Sequence, residues 1–174
     1  MDHEHAVSLI KQGVEKLGET WADLGAGGGT FSLALSELLG SEGRVIAVDR
    51  DARALRRIGT PPASWAAIRT YHADFTRPLE LTNMDGLLLA NSLHFVARQE
   101  EVLRQLIGYL RPGGRVLFLE YDTEQVSLWN PYPLPFHKLQ PLAAAVGLAA
   151  PYEVHRRPSI FAGREFYAAV ALRL

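Results

Sequence analysis

The sequence predicts an α/β fold in which a mostly parallel sheet carries helices on both faces. Three observations predict it. Short apolar runs alternate with amphipathic helical patterns from Trp21 to Glu120. A glycine-rich turn, Gly25-Ala26-Gly27-Gly28-Gly29, stands where the first apolar run gives way to a helical pattern. Acids, Asp49 and Asp74, follow the next two runs. Alternation of this kind builds a parallel sheet through right-handed crossovers.

The elements follow in order. Ala6, Leu9, Ile10, Val14 and Leu17 recur at helical spacing, with Asp2 as a cap and Gly18 as a stop, so a helix is expected over Ala6 to Leu17. The polar start before it, with His3 and His5, reads as a disordered terminus. Trp21 to Leu24 is the first strand; the helix after the glycine turn carries Phe31, Leu33, Leu35, Leu38 and Leu39 and closes at Gly40. Then come a strand Val45 to Val48, a helix Ala52 to Ile58, strands Ala67 to His72 and Gly86 to Ala90, a helix Gln99 to Leu110 and a strand Val116 to Glu120. A proline-rich stretch, Asn130 to Pro135, leads into a helix Phe136 to Val146 stopped by Gly147. Tyr152 to Arg156 and Phe166 to Leu172 read as strands whose short link suits an antiparallel pair.

Composition narrows the function classes. A chain of 174 residues supports one core, so a single domain over 1–174 is expected. Nineteen acidic against 18 basic residues leave no broad positive field for duplex nucleic acid. The absence of cysteine excludes disulfides, thiolate metal sites and a cysteine nucleophile. A polar amino terminus and the lack of a long apolar run point to a soluble, cytoplasmic protein with no membrane partner. No metal site is expected.

Asp23-Leu24-Gly25-Ala26-Gly27-Gly28-Gly29 is a D-x-G-x-G-x-G pattern between strand and helix, where glycines let the main chain turn sharply and approach a ligand closely. No Lys-Ser or Lys-Thr pair follows, which excludes a phosphate-cradling loop. Asp49 ends the second strand, where two carboxylate oxygens can accept both hydroxyls of a ribose. A nicotinamide-binding oxidoreductase shares that feature, but Thr30 stands where the dinucleotide fingerprint needs a small residue. In a sheet ordered 3-2-1-4 the strand ends meet at one crevice, so Asp23, Asp49, Asp74 and Asn91 converge there.

With these elements in order, the chain resembles the class I S-adenosylmethionine-dependent methyltransferases, especially the small-molecule, methyltransferase-11-like type. Asp23-x-Gly25-x-Gly27-x-Gly29, Val48-Asp49, Ala73-Asp74-Phe75, Asp85 to His94 and Leu110-Arg111-Pro112-Gly113-Gly114 match the family's successive motifs. The resemblance implies a three-layer Rossmann-like sandwich: a mostly parallel seven-stranded sheet of order 3-2-1-4-5-7-6 with an antiparallel last strand, and Leu110 to Gly114 as the loop before strand five. It implies S-adenosylmethionine as cofactor, S-adenosylhomocysteine as product and a small-molecule methyl acceptor as partner. The cofactor set is Asp23, the main chain of Gly25, Ala26, Gly27 and Gly29, Asp49 with Arg50, Asp74, Phe75 and Asn91. Asp49 would hold the ribose, Asp74 the adenine amino group and Asn91 the methionine amino group.

His94 is the histidine nearest the crevice, a candidate catalytic base or substrate contact. Trp129, Tyr132 and Phe136 are candidate substrate contacts in a loop over the pocket. Asn130-Pro131-Tyr132-Pro133 shares letters with the Asn-Pro-Pro-Tyr motif of enzymes that methylate nucleic-acid amino groups, but stands after the wrong strand. The mechanism expected is a direct in-line methyl transfer. A non-catalytic S-adenosylmethionine-binding module and the oxidoreductase remain the competing classes, and a homodimer is compatible with the sequence.

Overall fold

The computed structural model describes residues 1–158 and 165–174, and in it the expected alternation is present. The elements are α1 (His3–Ile10), β1 (Thr20–Leu24), α2 (Thr30–Leu39), β2 (Arg44–Asp49), α3 (Ala52–Leu55), β3 (Ala67–His72), β4 (Met84–Ala90), α4 (Gln99–Ile107), β5 (Leu110–Asp122), α5 (Phe136–Val146), β6 (Tyr152–Pro158) and β7 (Glu165–Leu172). They form one seven-stranded sheet ordered β3-β2-β1-β4-β5-β7-β6. β7 is antiparallel to β5 and β6, and the pairs among β1 to β5 are parallel. The link expected between β6 and β7 lies outside the described residues. Among the described residues no helix is long and apolar enough to cross a membrane.

Strand alternation divides the core into two layers. Leu87, Leu89, Val116 and Phe118 face one side with Leu103 and Leu106 of α4 and Leu139 of α5. Leu88, Leu117 and Leu119 face the other with Leu9 of α1 and Leu35 and Leu39 of α2. Each such side chain, fully buried, contributes roughly 1.5–3 kcal/mol.

Four expectations change at their edges. α1 begins at His3, whose Nε2 lies 2.5 Å from Glu37 and whose ring stacks on Trp65, so the terminus is tied down. α1 also ends at Ile10 and tightens into a 3₁₀ turn, Lys11–Gly13, whose Gly13 lies against Leu117, where a β-carbon would come within 2.8 Å. α3 is a single turn, after which Arg57 and Ile58 bond to Ala54 and Leu55 in i→i+3 fashion. α4 stops at Ile107, and β5 starts at Leu110, taking in the residues expected as a loop. The register shifts there, with Leu110 opposite Met84 and Arg115 opposite Gly86.

Two contacts fasten β1 into this frame. Trp21 lies across Gly86 of β4, and a β-carbon on Gly86 would fall 2.3 Å from the indole. The indole N–H is held by Glu19 at 2.9 Å, so the ring cannot swing aside freely. Asp23, 1% exposed, accepts from the Ser32 hydroxyl at 2.6 Å and ties β1 to α2. Burial pushes its carboxyl up to about 7; the Ser32 bond opposes this and the Asp49 charge adds to it.

These contacts generate two predictions. Gly86→Ala is expected to cost about 1–3 kcal/mol by overpacking, read from urea unfolding. A carboxyl with a folded pKa above its unfolded value binds its proton more tightly when folded, so the stability it contributes falls as pH rises from about 4 to about 7. Asp23→Asn keeps an acceptor for Ser32 and is expected to flatten that fall, measured as unfolding free energy at about pH 5 and about pH 8.

Candidate active site

The glycine turn after β1 is held by β2. The amides of Gly25 and Ala26 donate to the Val48 carbonyl at 2.9 and 3.0 Å, and the Gly27 amide donates to Asp49 Oδ2 at 2.8 Å. Gly25 has φ +86°, and a β-carbon there would lie 2.6 Å from Ser92 Cβ. Glycine is thus required twice over, by left-handed backbone and by the close approach of the turn after β4.

A cleft opens at the carboxyl ends of β1 to β4 and brings together Gly25, Asp49, Arg50, Asp74, Phe75 and Asn91, with Thr76, Ser92, Phe95 and Val96 completing its walls. Asp49 spends one lone pair of each oxygen on an amide, Gly27 at Oδ2 and Asp51 at Oδ1, which fixes its orientation and leaves a second lone pair on each. Asp74 accepts from the Thr76 amide and hydroxyl through Oδ1. Burial raises its pKa, but the two Thr76 bonds and the charges of Arg50 and Arg77 outweigh this and hold it below the usual carboxylate value. Asn91 leaves β4 in left-handed backbone, φ +52°, a conformation asparagine tolerates. Its Oδ1 and the Ser92 Oγ are buried without a hydrogen-bond partner among the described residues.

Not every expected residue reaches this cleft. Asp23 lies beneath the turn on Ser32, and Ala26, Gly27 and Gly29 shape the turn without lining the cleft. Gly29, at φ +85°, starts α2, and a β-carbon there would fall 2.7 Å from Ile58.

A second cleft adjoins the first at Asn91 and Phe95, and His94, Tyr121, Trp129 and Asn130 line the rest of it. His94 is 2% exposed, with Nδ1 2.5 Å from Glu120 Oε2. Glu120 Oε1 accepts from the amides of Leu93 and His94 at 3.1 and 3.3 Å. Burial raises the Glu120 pKa, and the bond and charge of His94 oppose that rise. Trp129 stands 82% exposed at the rim. Tyr132 is tied by its amide to the His94 carbonyl, and Phe136 packs edge-on against Tyr167; neither lines either cleft.

Glu120 is the residue sequence reasoning passed over. A signal was present: it is the one acid at the carboxyl end of the apolar run Val116 to Leu119, the place that drew attention to Asp49 and Asp74. Ser92 and Asn130 carried no such signal.

Comparison with known proteins bears on this arrangement. A methyltransferase-domain family model matches residues 22–118, more than half of the chain and the whole run from β1 into β5. Demethylmenaquinone methyltransferase of Shouchella clausii is 28% identical over 148 residues, covering 83% of this chain and 63% of that protein. 2-Phytyl-1,4-naphtoquinone methyltransferase of Synechococcus elongatus is 30% identical over 150 residues, covering 83% and 64%. The chain therefore spans just under two thirds of the length of these relatives. The YcgJ protein of Bacillus subtilis shares the fold with a TM-score of 0.77 at 14% identity, covering 98% of this chain and 99% of that one. 1,6-Didemethyltoxoflavin-N1-methyltransferase of Burkholderia thailandensis, solved with bound 1,6-didemethyltoxoflavin and S-adenosylhomocysteine, shares it with a TM-score of 0.75 at 20% identity, covering 98% and 77%. The family match spans the strands that build the first cleft, and the sheet order is the one the resemblance implied: the chain belongs to the methyltransferase-domain family, of the class I, S-adenosylmethionine-dependent kind.

Proposed function

We propose that this chain transfers a methyl group from S-adenosylmethionine to a small-molecule acceptor by direct in-line displacement, residues 1–174 acting as a single domain. The observation that carries the reading is a pair of buried oxygens without a partner among the described residues, Asn91 Oδ1 and Ser92 Oγ, in the wall of a cleft that also presents two carboxylates. A buried polar atom without a partner costs about 1–3 kcal/mol, and a ligand donor at that place offsets the cost. The remaining lone pairs of Asp49 suit ribose hydroxyls, Asp74 suits the adenine amino group, and Asn91 suits the methionine ammonium. Nothing in the glycine turn is built to hold a phosphate, which agrees with a ligand that has none.

Bound there, S-adenosylmethionine supplies a methyl carbon made electrophilic by positive sulfur. The chain's own work is alignment: Gly25 and Ser92 set the floor, Asp49 and Asp74 set the position along the cleft, and Phe95 and Asn91 border the space from which an acceptor approaches. Alignment of this kind is worth effective molarities on the order of 10⁵ M or more. His94 is the group placed to take a proton from the acceptor, with Trp129 at the mouth of the same space. Two relatives bear the names of quinone methyltransferases, which favours a ring-bearing small molecule over a macromolecule.

Calorimetry with S-adenosylhomocysteine and with a reduced nicotinamide cofactor tests the reading, and an acceptor screen scoring S-adenosylhomocysteine release tests turnover. The first ligand is expected to bind and the second not. Asp74→Ala is expected to weaken binding roughly 5- to 10-fold, the worth of about one hydrogen bond, and Gly25→Ala to abolish it by filling the gap to Ser92. Stabilisation by the nicotinamide cofactor alone would sink the proposal.

A further inference from the structure

The second cleft has walls of one kind and a floor of another. Phe95, Tyr121 and Trp129 supply three aromatic faces, with the Phe95 and Tyr121 rings centred 4.3 and 6.4 Å from the ring of His94. Aromatic walls of this sort bury and stack against a flat ring. The polar groups are few. Asn130 is 2% exposed, and its Oδ1 has no hydrogen-bond partner among the described residues, so it waits for a donor.

His94 completes the floor, with Glu120 buried against it. Glu120 is 1% exposed and spends both oxygens on one short segment, taking the amides of Leu93 and His94 and the imidazole Nδ1. Nδ1 is therefore committed, and the nitrogen left for chemistry is Nε2. A neutral amine attacks a methyl group without first losing a proton, whereas a phenol is a poor nucleophile until ionised. An imidazole held by a buried carboxylate is the device the second case needs.

We propose that this cleft is the acceptor site and takes a planar hydroxyaromatic ring, whose hydroxyl proton passes to His94 Nε2 while Glu120 holds the imidazole in place. The proposal rests on the methyl-transfer reading and names its acceptor class. In the step, the O–H bond breaks, the proton goes to Nε2 and the electron pair stays with the ring oxygen. The anion attacks the methyl carbon from oxygen, or from the ring carbon beside it, and the carbon–sulfur pair returns to sulfur. Attack by oxygen gives a methyl ether. Attack by carbon gives a methylated ring once that carbon's own hydrogen leaves as a proton. The imidazolium faces the Glu120 carboxylate until its proton passes to solvent. His94 is thus catalytic and Glu120 a positioning residue.

The test uses the S-adenosylhomocysteine-loaded chain with 4-nitrophenol, whose phenolate absorbs apart from its neutral form, and 4-nitroanisole, the same ring without the proton. At a pH below that at which 4-nitrophenol ionises in water, the bound probe is expected to show an enriched phenolate band, and 4-nitroanisole to bind at least tenfold more weakly. Trp129→Ala is expected to weaken 4-nitrophenol binding severalfold. His94→Gln and Glu120→Gln are each expected to keep the probe bound and lose the enrichment, a spectroscopic change that a purely structural role of Glu120 would not produce. S-adenosylhomocysteine binding by each variant shows that it is folded, and His94→Gln decides the matter if Glu120→Gln does not fold. An unchanged phenolate fraction in His94→Gln, equal binding of the two probes, or no probe binding by a chain that holds S-adenosylhomocysteine overturns the proposal. Failure to hold S-adenosylhomocysteine at all sinks the methyl-transfer reading and the proposal with it.

Discussion

The close approach of two turns, one after β1 and one after β4, is the constraint on which the site depends. Gly25 and Ser92 stand so near that no side chain fits between them, and the same glycine sits in left-handed backbone. That contact works only because β1 and β4 are adjacent and parallel, with Trp21 opposite Gly86. A second glycine, Gly86, makes room for the indole there. The two glycines have different tasks: one lets strands pack, and the other lets the loops they carry meet at a floor. A single methyl group on either glycine opposes its task.

Around that floor the polar groups are arranged by backbone bonds more than by side-chain bonds. Asp49 is clamped by the amides of Gly27 and Asp51, and Asp74 by Thr76, so each carboxylate is oriented by its own neighbourhood. Orientation of this kind lowers what a ligand must spend on ordering the side chains it meets. The Asp49 clamp also couples the glycine turn to the end of β2, so the shape of the turn and the position of the acid are one feature.

Much of this was legible in the sequence, for definite reasons. The sheet was legible because its strands are short apolar runs closed by glycine or acid, and the crevice because acids at strand ends fall on one edge of a parallel sheet. The local details were not. Asp23 was expected to face the cofactor and lies beneath the turn, because a side chain within a buried strand follows the packing of α2, where Ser32 waits for it. Phe136 was read with Trp129 and Tyr132 as one aromatic group, yet the start of α5 turns it onto Tyr167. Aromatic residues in a proline-rich stretch do not announce which way they face. Glu120 escaped notice because one acid after four apolar residues looks like the end of a strand, and its partner stands 26 residues away.

The His94–Glu120 pair is hard to explain as a device for stability. Taking two ionisable groups out of water costs several kcal/mol, and well-packed apolar residues of similar size often do as well or better. Here the carboxylate is satisfied by two amides and an imidazole, so burying it is tolerable, but that bonding repairs a cost the fold had no need to incur. The four residues before Glu120 on β5, Val116 to Leu119, are apolar and buried, and a further apolar residue at position 120 would continue them. What the pair adds is an imidazole of fixed orientation beside a cleft that joins the first one at Asn91 and Phe95. Its position, near the carboxyl end of β5 and on the same edge of the sheet as Asp49 and Asp74, follows the rule that puts binding groups at that edge of a parallel sheet. A costly, well-satisfied polar pair at the one edge where ligands bind is better accounted for by chemistry than by packing.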